Sequence, residues 1–139
     1  MPTTYRGLFH HIDLNVSDLG AAKEVYGPVL EFLGYRMVKD DEKGCEWDRG
    51  RDDRRTSLGL RAIDPELATY AHRRYAPGLH HLAWRASSRE EVDRLHLLLV
   101  ENGIRVLDAP AHYPEYSATY YAVFFEDADG MKLEVLHEG

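Results

Sequence analysis

With 139 residues, 44% of them hydrophobic, the chain can bury one core. Its 17 basic against 24 acidic residues leave a formal charge of -7, and Asp52 and Asp53 interrupt the arginines at 51, 54 and 55, so no basic stripe offers itself to nucleic acid. No apolar run nears the ~18 residues of a membrane span, the first residues lack a secretory pattern, and the single Cys45 can form no intrachain disulfide; a cytoplasmic protein without a membrane partner is expected.

In chain order, Ile12, Leu14 and Val16 alternate with His11, Asp13 and Asn15, the pattern of a half-buried strand. A helix is predicted from near Asp18, with Leu19, Ala22, Tyr26, Val29 and Leu33 on one stripe and a kink at Gly27-Pro28. Strands are predicted near 36–39, 45–49 and 56–63. Asp64-Pro65 then opens a connecting helix expected to end before Pro77.

The pattern begins again at His81. Leu82, Trp84 and Ala86 alternate with His81, Ala83 and Arg85, and Ser87 with Glu90 reads as a capping box. Val92, Leu95 and Leu99 form the second helical stripe, which Asn102-Gly103 closes. Strands are predicted near 104–107, 119–126 and 131–137, the last two joined by a turn at Asp127-Ala128-Asp129-Gly130.

The two halves are copies. GLFHHIDLNVSD and GLHHLAWRASS share Gly-Leu, a histidine pair, alternating apolar residues and a serine, and Gly34 follows His11 by 23 residues as Gly103 follows His81 by 22. A unit of about 70 residues has been duplicated. The fold class is α+β: two βαβββ modules, residues 7–63 and 78–137, in one domain spanning 1–139, with curved sheets or a half-open barrel and the helices on the outer face.

Strand alternation places the chemistry. If Ile12, Leu14, Leu82 and Trp84 pack under helices, His11 and His81 face the other way, and Glu134 does the same between Leu133 and Val135. Two imidazoles and one carboxylate make a divalent-metal set for zinc, iron, nickel or manganese, with positions left for water or substrate. By the same parity His10 and His80 turn toward the helices as structural residues. Arg61 and Arg85 share the ligand face and are candidates to hold an anionic substrate group, against a rim salt bridge to Asp13, which we prefer. Tyr120 and Glu126, in phase with Phe124, are candidates for acid or base, against packing for Tyr120 and solvent exposure for Glu126, which we favour. Trp47, Tyr113, Tyr116 and Tyr120 either line an aromatic cleft or pack.

HHIDLNVSDL, GLHHLAWRASSREEV and FFEDADGMKLEV resemble the vicinal oxygen chelate superfamily, which includes glyoxalases, fosfomycin-resistance transferases, ring-cleaving dioxygenases and bleomycin-resistance proteins. The resemblance implies paired βαβββ modules, metal ligands at His11, His81 and Glu134, and a homodimer with sites between modules of two chains. It also implies a metal-dependent enzyme acting on a small oxygen-rich molecule, the alternative being a binding protein that sequesters a drug or natural product. Aligning Ser57-Leu58-Gly59-Leu60 with Lys132-Leu133-Glu134-Val135 puts Gly59 where glyoxalases carry a fourth ligand. Phe124 stands where ring-cleaving dioxygenases carry a tyrosine and is a candidate to contact substrate.

Overall fold

The computed structural model describes residues 5–139. Strand β1 (His11–Val16) buries Leu14 and Val16 on one face and exposes His11, Asp13 and Asn15 on the other. Helix α1 (Leu19–Phe32) starts at Asp18, whose carboxylate accepts the Ala21 N–H at 3.0 Å. It continues through Pro28 and buries Ala22, Val25, Tyr26, Val29 and Leu30. Strands β2 (Arg36–Asp41), β3 (Gly44–Arg49) and β4 (Thr56–Ala62) complete the first module.

The second module repeats the order: β5 (His81–Arg85), α2 (Arg89–Glu101), β6 (Val106–His112), β7 (Tyr121–Glu126) and β8 (Lys132–His137). The sheets run β1-β4-β3-β2 and β5-β8-β7-β6, both open, with the first strand of each module parallel to its last and the remaining pairs antiparallel. This is the expected α+β architecture of two βαβββ modules.

The structure corrects three local expectations. The helix between the modules is a single 3-10 turn, Pro65–Leu67, rather than a segment reaching toward Pro77. Strand β6 runs on to His112, since pairing with β7 holds residues whose own pattern is weak. The α2 cap is shifted by one: Ser88 accepts the Glu91 N–H at 3.1 Å, and Glu91 reaches back to the Ser87 hydroxyl at 2.5 Å.

The core lies between helices and sheets. Trp47, Leu58 and Leu60 pack with the α1 residues, and Val123, Phe125, Leu133 and Val135 with Val92, Leu95 and Leu99 of α2. Each such side chain contributes about 1.5–3 kcal/mol by leaving water. The helices touch, making the core continuous. The modules are also joined by polar contacts at the β7–β8 turn: the Tyr26 hydroxyl donates to Asp127 Oδ2 at 2.8 Å, and the Ser17 N–H to Asp129 Oδ2 at 3.0 Å. No helix among the described residues is long and apolar enough to cross a membrane.

Candidate functional site

Because both sheets have the same register, the faces turned away from the helices carry matching rows of side chains. In module one the rows are His11–Ser57–Asp48, then Asp13–Gly59–Glu46, then Asn15–Arg61–Gly44. In module two they are His81–Lys132–Glu126, then Ala83–Glu134–Phe124, then Arg85–Leu136–Ala122. Gly59 is thus the structural counterpart of Glu134, as the sequence alignment had it.

Module two brings two of the three expected ligands together. His81 Nε2 lies 3.2 Å from Glu134 Oε1, one row off on the adjacent strand. Glu134 is only 2% exposed. A buried carboxylate is costly unless partnered, and here its second oxygen accepts a hydrogen bond from Tyr120. Burial first, then the bond to Glu134 and its charge, raise the Tyr120 hydroxyl well above the ordinary phenol range. Tyr120 therefore stays protonated at neutral pH and serves as a donor.

The segment between β6 and β7 supplies the cover. Tyr113 stacks on Tyr116 at 5.7 Å between ring centroids, Tyr116 meets Tyr120 edge-on at 5.1 Å, and Tyr113 meets Phe124 at 5.3 Å. Phe124 lies directly beside Glu134 in the row, with the Lys132 ammonium 4.4 Å from its ring centroid. Lys132 was missed in the sequence, although its parity with Glu134 was readable there. Trp47 takes no part in this wall. It is fully buried in the module-one core.

The other candidates are placed differently. Glu126 is held by Arg105 at 3.1 Å and Arg74 at 3.8 Å, so its carboxylate is engaged. Arg61 pairs with Asp13 at 3.6 Å, the rim salt bridge preferred above. Arg85 is exposed on the row beyond Ala83. His11 is exposed at the start of β1. No cluster of three His, Cys, Asp or Glu able to hold a metal forms among the described residues. His10 and His80 do not turn under the helices as parity suggested. Both are exposed, and each ring contacts that of the histidine following it.

The donor chemistry of the pair fits a divalent ion: one imidazole nitrogen and one buried carboxylate oxygen, already adjacent. A side chain at Gly59 would start against Asp13 Oδ1, the end of a side chain whose other oxygen faces the Arg61 guanidinium, so Asp13 would have to turn aside.

Residues 8–135 match the family model for the glyoxalase/bleomycin resistance protein/dioxygenase superfamily. The chain is 37% identical over 127 residues to the uncharacterized protein YqjT of Bacillus subtilis (strain 168), covering 91% of this chain and 96% of that protein. A solved glyoxalase-type protein of Bacillus halodurans superposes with a TM-score of 0.81 at 29% identity, covering 98% of this chain and 99% of that one. A solved glyoxalase family protein of Enterococcus faecalis gives a TM-score of 0.65 at 25% identity over 95% and 98% of the two chains.

Proposed function

The chain belongs to the glyoxalase/bleomycin resistance/dioxygenase superfamily, and from that premise we propose that it is a metal-dependent enzyme acting on a small oxygen-rich molecule, with His11, His81 and Glu134 as ligands. The observation that carries this reading is the buried Glu134 carboxylate held between His81 and Tyr120. A cation joining the imidazole and the carboxylate would further offset the cost of burying that charge.

His81 and Glu134, with His11, would hold the divalent ion, and it would supply Lewis-acid polarisation of a substrate oxygen and offset negative charge there. The chain's own groups do the rest. The neutral Tyr120 hydroxyl points a proton at Glu134 and fixes its orientation. Tyr120 and Phe124, with Tyr113 behind them, shield the carboxylate from water, which strengthens its interaction with any cation.

His11 completes the set from a second copy of the chain. Strands β1 and β5 each have one unpaired edge. Leu8 and Phe9, just before His11, are 66% and 81% exposed, apolar surface that a partner would cover. A two-fold pair places His11 of each copy opposite the other's His81 and Glu134.

The test is metal analysis on protein reconstituted with zinc, iron(II), nickel or manganese, together with light scattering. The parent is expected to retain a divalent ion and to have twice the 16.0 kDa chain mass. His81→Ala and Glu134→Ala should lose the ion and keep the dimer. Equal metal retention by parent and variants would overturn the site.

A further inference from the structure

Each proposed ligand histidine directly follows another histidine, and the two pairs share one geometry. His10 Nδ1 lies 2.9 Å from His11 Nδ1, and His80 Nδ1 lies 2.8 Å from His81 Nδ1. The rings meet edge-on in both, with centroids 5.2 and 5.0 Å apart and planes at 88° and 73°. Neighbouring positions have diverged between the modules, Gly59 against Glu134 and Asp13 against Ala83, yet this contact stands in both. All four rings are exposed, so the core does not require it.

The backbone explains how the contact arises. His11 and His81 are the first residues of β1 and β5. Strict alternation of side chains begins with the strand, so the residue before it is free to fold its ring back.

Two ring nitrogens bond only when one carries a proton and the other a lone pair, and a neutral imidazole has a single N–H. If His11 donates from Nδ1, its Nε2 is bare and available to a cation, and His10 carries its own proton on Nε2. The same holds for His81 and His80. Without a cation, His81 uses Nε2–H toward Glu134 Oε1, and His80 then donates from its Nδ1. The Nδ1–Nδ1 contact serves both arrangements, and neither ring has to turn.

We propose that His10 and His80 are positioning residues, each holding through its Nδ1 the ring orientation of the next histidine so that Nε2 of His11 and of His81 faces a divalent cation. This inference rests on the metal-site reading above. Partners of this kind fix ligand histidines in general, and their loss costs about 10–100-fold in metal affinity.

The experiment titrates zinc into the metal-free full-length protein against a chromophoric chelator, with melting temperatures measured alongside. It compares the parent, His81→Ala, and alanine, asparagine and glutamine variants at His80 and at His10. Asparagine places its amide oxygen near the position of Nδ1, whereas glutamine places it one bond further out. Alanine at either position is expected to weaken zinc binding about 10–100-fold. Asparagine should restore most of the affinity and glutamine little, with melting temperatures of the metal-free variants unchanged. Parent-like affinity in His80→Ala and His10→Ala, with binding lost in His81→Ala, would overturn the positioning role and leave the metal site standing. Equal losses for alanine, asparagine and glutamine would also overturn it, since the Nδ1 position would then not matter. Failure of the parent to bind zinc would overturn the metal reading and the positioning role together.

Discussion

The two modules agree strand for strand, and on the row that carries Glu134 they differ in which strands hold the carboxylates. In module two the row is Ala83–Glu134–Phe124, with the carboxylate on the central strand. In module one it is Asp13–Gly59–Glu46, with carboxylates on both flanks and none in the middle. From the centre, Glu134 meets the histidine of the neighbouring strand and is sealed by an aromatic wall. From the flank, Asp13 meets Arg61 and stays part-exposed. A duplicated backbone thus carries two chemistries because one row holds its carboxylate on the central strand and the other on both flanks. Gly59 is needed for space rather than conformation, since Asp13 occupies the volume where its side chain would start.

The largest effect is expected from breaking the central row of module two. Glu134→Gln keeps shape but removes the charge. Metal affinity should fall by more than about 100-fold, beyond what the loss of an outer partner costs. Glu46→Gln, on the matching row of module one, should leave it near the parent value. Chelator competition on both variants measures this, and equal losses would erase the distinction between the rows.

A smaller effect is expected where the modules are joined. Tyr26→Phe removes the hydroxyl from Asp127 Oδ2 and leaves a buried carboxylate oxygen unpartnered. The loss should be about 1.5–3 kcal/mol, as for hydrogen bonds to charged groups. Burial already raises the Asp127 carboxyl, and the Tyr26 bond opposes that rise. The variant's folded-state value should therefore stand further above the unfolded one. A group raised in this way favours the folded state as pH falls through its folded value. The deficit of Tyr26→Phe relative to the parent should then narrow on acidification. Urea unfolding at neutral pH and at pH near that of an ordinary carboxyl tests both size and sign; a gap that widens in acid would contradict it.

The smallest effect comes from trying to make module one resemble module two. Gly59→Glu alone forces the Asp13 side chain aside and loosens its exposed pairing with Arg61, so it should cost up to about 1 kcal/mol, without tightening metal binding. With Asp13→Ala added, the space opens, the stability should largely return, and the new carboxylate can reach the metal face. Melting temperature and zinc affinity measured on both variants decide it. No recovery in the double variant would show that Asp13 is not what excludes a side chain at position 59.

The duplication, both helices and the equivalence of Gly59 with Glu134 were legible because they rest on period and spacing, which are local. Parity also put His81 and Glu134 on one face, and the structure brings those two into contact. It misplaced His10 and His80, because alternation governs residues inside a strand and both stand one residue before one. Trp47 was open between cleft and core; burial under α1 decided it.

Which like-facing groups meet was a matter for tertiary structure. Glu126 and Glu134 share strand parity, yet Arg105 and the inter-module segment's Arg74 engage the first, while Tyr120 and His81 hold the second. Arg74, Arg105 and Tyr120, all outside the strands, make that choice together with His81 of β5. A side chain's face follows from two neighbouring residues and can be read from them. Its partner depends on where a separate stretch of chain crosses the sheet, and that is set by the packing of both helices and both modules together.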